Sequence, residues 1–251
     1  MATKKERQRQ LAREAYQRRI GRQARRSKRT RQLGITSVVA VIIIAVGVGS
    51  AAIAGAFTPS KATVAKTCAY TAVGTAARKV SLPPTKPDTK ATYTATIKTN
   101  RGKIVINLLN SNAPCTVNSF VSLASQKFFN NTPCHRLTTA SIYVLQCGDP
   151  TGTGTGGPGY VFYTENLAGA KYPAGTIAMA NSNTADSNGS QFFLVYKDTP
   201  LPAKYTPFGT IASGLNILQT VAKAGSDNSN GPGDGHPKKK VQIESVTISK
   251  T

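Results

Sequence analysis

Hydrophobic positions divide the chain of 251 residues into stretches of different texture. Residues 33–57, "LGITSVVAVIIIAVGVGSAAIAGAF", are apolar almost throughout and carry no charge. Residues 58–91 mix Pro, Lys, Thr and Ala without a sustained period and predict a linker. From residue 92 the pattern alternates: "TYTATIKT" and "GKIVINLL" predict two strands joined at Asn100-Arg101-Gly102, which is good hairpin chemistry. "APCTVNSFVSLASQKFF" predicts a helix with Pro114 near its first turn and Val117, Phe120, Val121 and Leu123 on one side. A strand through Ile142, Tyr143, Val144 and Leu145 is followed by short strands at "TIAMAN", "QFFLVY" and "FGTIA". The helix "GLNILQTVAKA" then places Leu215, Leu218, Val221 and Ala222 at helical spacing, before a last strand, "KVQIESVTIS". Many strands with two helices predict a mainly β domain, a closed or nearly closed antiparallel sheet with helices over its ends.

Charge changes the picture at the N-terminus. The formal net charge is +22, and residues 1–32 hold 13 Lys and Arg against Glu6 and Glu14. A basic arm therefore precedes an uncharged run that matches the roughly 20 apolar residues spanning a bilayer core. The positive-inside rule puts the arm in the cytoplasm and the C-terminal bulk outside. A cleaved signal peptide is the alternative, because Ala54-Gly55-Ala56 resembles an A-x-A site. The arm's length and the extent of the apolar run both argue against cleavage. As partners, the arm expects anionic lipid headgroups, which attract each surface Lys or Arg by about 1 kcal/mol. With Tyr16 as its lone aromatic, no nucleic-acid partner is expected.

Candidate chemistry is sparse. Cys68, Cys115, Cys134 and Cys147 all fall on the outer side, where an even count suggests disulfides in any of three complete pairings. There is no C-x-x-C spacing and only His135 and His236 to assist, so neither a metal nor a cofactor is expected. "GTGTGGPG" satisfies G-x-G-x-x-G from Gly152 and from Gly154, yet Pro158 and the strand-like "YVFY" follow instead of a helix, so it predicts a loop. Ser190 in "NGSQF" lacks the G-x-S-x-G elbow. His135 reads as structural, His236 lies in a polar tail, and Asp149, Glu165, Asp186 and Asp198 offer little for paired-carboxylate chemistry. No convincing nucleophile is present.

In "CHRLTTASIYVLQCGD", residues 134–149, Arg136 heads an apolar run that closes on Gln146 and Asp149. With "AMANSNTADSNGSQFFLVY" and "PAKYTPFGT" it resembles, in order, the signature blocks of cyclophilin-type peptidyl-prolyl isomerases, over about residues 92–249. The basic arm, apolar span and cysteine placement resemble the membrane-anchored cyclophilins of actinobacteria. The resemblance implies an eight-stranded antiparallel barrel capped by two α-helices, a groove on its outer wall, a monomer, no cofactor, and proline-containing polypeptides as partners. It implies that Arg136 is the electrostatic catalyst, that Gln146 holds substrate backbone, and that Asn181 bonds the residue before the proline. Tyr143, Val144, Phe193 and Leu201 match the proline pocket, Gln191 a polar groove position, and Ala180 and Ser182 the flanks of Asn181. Tyr205 stands where the family has a groove histidine, and Pro200 where many members have tryptophan, which this chain lacks. Arg136 and Gln146 are ten apart, two more than the familiar eukaryotic pattern, which enlarges the turn around Thr139 to Ser141; another extra residue lies between Asn181 and Gln191. A Cys115–Cys134 disulfide is implied because the family fold brings the first helix near the following strand. The expected organisation is a basic cytoplasmic arm at 1–32, a transmembrane helix at 33–57, an extracytoplasmic linker at 58–91 and the isomerase domain at 92–251. A proline-peptide binding module with little turnover is the alternative function, and an adaptor acting through its basic arm a more distant one.

Overall fold

The computed structural model describes residues 67–251, so the basic arm, the apolar run at 33–57 and the first part of the expected linker lie outside the described residues. Among the described residues no helix is long and apolar enough to cross a membrane. Ordered structure begins earlier than the expected boundary at residue 92. Strand β1 (Thr71–Ala72) pairs with β7 (Tyr160–Val161), and Cys68 is bonded to Cys115. The Tyr70 ring meets Tyr160 and Phe162 edge-on at 5.6 Å, and its hydroxyl donates to the Cys115 carbonyl at 2.8 Å. Arg78 donates to the carbonyls of Phe128 and Asn130. The second half of the expected tether is thus packed on the domain, held by contacts that its irregular sequence does not display.

Alternation builds the next unit. In β2 (Tyr93–Thr99) and β3 (Gly102–Leu108), Ala95, Ile97, Ile104, Ile106 and Leu108 all turn inward and are buried. Thr99 pairs with Gly102 across the two-residue turn Asn100-Arg101, as the sequence predicts. Helix α1 (Pro114–Ser125) starts on its proline, where a missing N–H costs nothing. The Glu165 carboxylate accepts from the Thr116 amide at 2.8 Å and hydroxyl at 2.9 Å, placing negative charge at the positive end of the helix. The helix stops short of the predicted Phe129. Lys127 takes a left-handed conformation, and bonds from Lys127 N to Ala124 O and from Phe128 N to Leu123 O close the last turn. That closure drops Phe128 and Phe129 into the core, where Phe129 stacks on Phe120 at 5.1 Å.

The remaining strands are β4 (Thr132–Pro133), β5 (Arg136–Thr138), β6 (Val144–Cys147), β8 (Thr176–Met179), β9 (Phe192–Val195), β10 (Pro207–Ser213), β11 (Asp234–Gly235) and β12 (Gln242–Lys250), with α2 (Leu215–Lys223) between β10 and β11. Ten strands form one sheet in the order β11-β5-β6-β9-β8-β10-β3-β2-β12-β4. All its pairings are antiparallel. Strand β4 ends that order and β5 stands next to its other end, yet only Cys134 and His135 separate the two in the chain. The sheet therefore curls until one bent segment serves both ends. The result is a curled antiparallel half-barrel with two helices, beside which β1 and β7 form a separate two-stranded ribbon.

Two disulfides consume all four cysteines, Cys68–Cys115 and Cys134–Cys147. The Cys115–Cys134 pairing implied by the resemblance is incorrect. Cys115, in the first turn of α1, meets the N-terminal segment instead. Cys134, at the bend, sits across from Cys147 at the end of β6, with a Cα–Cα distance of 4.0 Å.

Candidate active site

The period of two separates the sheet's faces. Leu145, Ile177, Met179, Phe192 and Leu194 enter the main core with Phe120 and Phe208. Their neighbours Val144, Ala178, Phe193 and Val195 point the other way and, with Tyr172, form a second apolar cluster. Ala180, Leu201 and Tyr205 pack against its edge. The Tyr205 ring stands edge-on to Phe193 at 5.6 Å, and the Tyr172 hydroxyl donates to the Tyr205 carbonyl at 2.8 Å, fixing the segment that carries it. Pro200 is exposed beside Leu201.

Register brings the polar residues to the rim of this cluster. Arg136 pairs across strands with Gln146, Gln146 with Phe193, and Phe193 with Ala178. The Arg136 side chain, 36% exposed, donates from Nε to Asp234 Oδ1 at 2.8 Å and from Nη2 to Asp234 Oδ2 at 2.5 Å. Its Nη1 is 3.4 Å from Gln146 Oε1. The guanidinium holds the Asp234 carboxyl below the usual carboxylate range, against the opposing effect of partial burial. Asp234 thus fixes two of the arginine's three nitrogens and leaves the third on the Gln146 side.

Beyond Gln146 the hydrogen bonds continue. Gln146 Nε2 donates to Gln191 Oε1 at 2.9 Å, and Gln191 Nε2 donates to the carbonyls of Gly154 and Gly156, both at 3.0 Å. Those glycines belong to the loop "GTGTGGPG", folded around Asp149, whose carboxylate accepts from the amides of Thr151, Gly154 and Gly156 at 2.8, 2.7 and 3.0 Å. Burial pushes the Asp149 carboxyl up, but these bonds and the Thr151 hydroxyl outweigh it and hold the group below its ordinary value. A Cβ on Gly156 would lie 2.1 Å from Asp149 Oδ1, so only glycine permits this approach. Ser190 Oγ donates to the Gly148 carbonyl at 2.7 Å in a buried position, a structural role that fits the absence of a hydrolase elbow.

Asn181 lies on the same rim, with Ala180 and Ser182 beside it. Its side chain is committed: Nδ2 donates to Lys204 O at 2.8 Å and Oδ1 accepts from the Asn183 amide at 3.0 Å. Its own N–H and C=O have no hydrogen-bond partner among the described residues.

The structure thus brings together Arg136, Val144, Gln146, Ala180, Asn181, Ser182, Gln191, Phe193, Leu201 and Tyr205. It does not bring Tyr143. That ring packs against the main core, 6.0 Å from Tyr196 and with Lys197 Nζ 4.4 Å above it. The expectation that Tyr143 lines the proline pocket is corrected accordingly. The turn at Thr139 to Ser141, with Ser141 left-handed, delivers it to the side opposite Val144. Sequence reasoning missed Asp234 and Tyr172, and it weighed Asp149 only as an acid–base group. "QCGD" followed by a glycine-rich loop was the available signal for Asp149; Asp234, 98 residues from its arginine, gave none. Among the described residues no group of three or more His, Cys, Asp or Glu could hold a metal ion.

Residues 94–248 match the family described as cyclophilin type peptidyl-prolyl cis-trans isomerase/CLD. The chain is 49% identical over 198 residues to a probable peptidyl-prolyl cis-trans isomerase B of Mycobacterium leprae, covering 72% of this chain and 66% of that protein. It is 38% identical over 178 residues to peptidyl-prolyl cis-trans isomerase A of Mycobacterium tuberculosis, covering 63% of this chain and 93% of that one. It therefore spans somewhat less than two thirds of the Mycobacterium leprae relative. A solved Cryptosporidium parvum cyclophilin type peptidyl-prolyl cis-trans isomerase superposes with a TM-score of 0.57 at 30% identity, over 64% of this chain and 99% of that one. A structure of the same protein in the presence of dipeptide ala-pro gives 0.56 at 32%, over 63% and 99%.

Proposed function

The chain belongs to the cyclophilin-type peptidyl-prolyl cis-trans isomerases, and on that premise we propose that it accelerates cis-trans rotation of X-Pro bonds in polypeptides outside the cytoplasmic membrane. The barrier to rotation is about 18–20 kcal/mol because resonance gives C–N double-bond character. The two isomers of X-Pro differ by only about 0.5–1 kcal/mol. A catalyst must therefore favour the twisted state, in which the proline nitrogen is pyramidal and its lone pair localised, over both planar ones. No covalent bond has to break.

The observation that carries this reading is Arg136, oriented by Asp234 at the rim of an apolar cluster and beside Gln146. In the proposed mechanism the proline ring sits over Phe193, Val144 and Leu201. The guanidinium addresses the developing lone pair, and Gln146 holds the adjacent backbone. Because the Asn181 side chain is engaged with Lys204 and Asn183, its main chain is the group that anchors the residue before the proline. Anchoring one end while the other turns converts the arginine's charge into rate, tenfold for each 1.36 kcal/mol. The domain is carried outside by the apolar run at 33–57, with the basic arm in the cytoplasm. The charge asymmetry of the sequence supports this, as do two disulfides of the kind that persist in oxidising compartments.

Exchange of a short Xaa-Pro peptide followed by NMR tests the catalytic reading, with circular dichroism as the folding control. Folded Arg136→Ala protein should lose about 100- to 1000-fold in kcat/KM, the cost of one preorganised donor. Wild-type turnover in that variant overturns the assignment. Peptide binding without turnover by the wild type would favour a binding module instead. Protease added to intact cells should digest the domain while sparing an epitope on the arm.

A further inference from the structure

The rim that carries Gln146, Ala180, Asn181 and Gln191 continues into a cavity of about 520 Å³ on the side away from Phe193 and Leu201. Its far wall is the N-terminal segment. Val73, Gly74 and Thr75 line it together with the glycine-rich loop and Ser182. Val73 is 45% exposed, unusual for a large aliphatic residue in this domain. The wall is fixed rather than draped. Cys68 is bonded to Cys115 of α1, β1 pairs with β7, and the amides of Val73 and Ala77 donate to Gly159 O and Gly157 O, both at 2.8 Å. Residues 73–75 also lie outside the stretch that matches the family, which begins at residue 94.

From this we infer that the stapled segment at 68–77 is a specificity element: Val73 and Thr75 read the side chains that lie two and three residues before the proline. The inference rests on the proposed function, because Arg136 at one end and Asn181 in the middle set the direction of the bound chain. With the proline over Phe193 and its preceding residue at Asn181, the residues further upstream continue into the cavity. An extended chain advances about 3.3 Å per residue, so the second and third residues before the proline lie immediately beyond Asn181. No charged side chain lines the cavity. Its walls are glycine backbone, hydroxyls, the side-chain amides of Gln146, Asn181 and Gln191, and an aliphatic patch. The class of substrate it takes is an extended proline-containing segment whose upstream residues are uncharged and small or medium in size. A charged side chain there would lose water and meet no opposite charge.

The test uses the full chain and its Val73→Asp variant, a change at an exposed side chain. Both are assayed by NMR exchange on Ala-Pro amide and on longer peptides carrying Ala, Lys or Glu at the second and third positions before the proline. The wild type should prefer Ala over both charged residues. Val73→Asp should raise the Lys-to-Glu ratio of kcat/KM by about two- to fivefold, the size of an exposed ion pair. Turnover of Ala-Pro amide should not change. An unchanged Lys-to-Glu ratio, or an equal loss on all peptides including Ala-Pro amide, overturns the inference. Dissociation constants for the same peptides are measured in parallel. If the wild type binds without turning over, the catalytic reading fails, and the shift in the Lys-to-Glu binding ratio still decides the role of the segment.

Discussion

Removing Asp234 separates the arginine's charge from its orientation. Asp234→Ala leaves the guanidinium in place but releases Nε and Nη2, its two bonds at 2.8 and 2.5 Å. What is lost is the fixing of a long side chain whose full rotamer freedom is worth about 2 kcal/mol. The direct ion-pair energy adds little: the partners are 36% and 25% exposed, and partly exposed pairs of this kind contribute about 0.2–1 kcal/mol. An upper bound near 2 kcal/mol corresponds to about 30-fold in rate, and with Gln146 still beside Nη1 the expected fall in kcat/KM is about tenfold. Asp234→Asn keeps one acceptor and should fall between. Peptide exchange by NMR gives the rate, and thermal unfolding should show stability changed by no more than about 1 kcal/mol. A purely structural role is excluded by the double variant: once Arg136 is alanine, losing Asp234 should cost nothing further. Because the guanidinium depresses the Asp234 carboxyl, the pair is intact at neutral pH and is lost only as pH falls below the ordinary carboxylate range. Turnover equal to or faster than wild type in Asp234→Ala would refute the reasoning and mark the pair as a clamp that restrains the arginine.

Three further outcomes are expected. His135 is 7% exposed, and Gln191 comes close to it without completing a hydrogen bond to either ring nitrogen. Burial lowers its pKa, so the unfolded chain takes up the proton first; stability should fall as pH drops from about 6.5, by at most about 1.4 kcal/mol per unit, and His135→Leu should flatten that slope in thermal melts. The disulfides close separations of 47 and 13 residues, for which chain entropy gives about 4 and about 3 kcal/mol. Denaturant unfolding of the Cys→Ser pairs should rank Cys68–Cys115 as the more costly loss, and an alkylated, unreduced sample showing four free thiols would contradict both bridges. If, as proposed, the peptide is held by the Asn181 main chain, Asn181→Ala should change kcat/KM by less than about threefold; a loss as large as that of Arg136→Ala would return the role to its amide.

The sequence showed the site's row before the fold did. Arg136 and Gln146 stood at the two ends of one apolar run, and the antiparallel register placed them face to face. Strands with clean alternation, such as "TYTATIKT" and "GKIVINLL", were legible because each buried side chain repeats every second residue. Three things were not. Tyr143 follows an enlarged turn, and one residue's difference in phase sends a side chain to the other face of a sheet. Asp234 opens the two-residue strand β11 within "NSNGPGDGHP", a stretch whose composition signals turns and nothing about what it reaches. The segment from Cys68 to Arg78 has no period to detect, since a bridge, a ring and single hydrogen bonds hold it in place of a repeating face.

The pairing of β12 with β2 has a consequence in time. The last strand of the chain lies between β2 and β4, with Lys250 opposite Tyr93, and Thr92 and Thr251 exchange hydrogen bonds at 3.0 Å. Contacts between residues so far apart in sequence form slowly, because the intervening chain must first be closed into a loop. A ribosome delivers β12 after every other strand of the sheet, so the sheet cannot complete itself until residue 250 has been made. Loss of residues 242–251 would remove an interior strand of the sheet, leaving two exposed edges open to pairing with other chains.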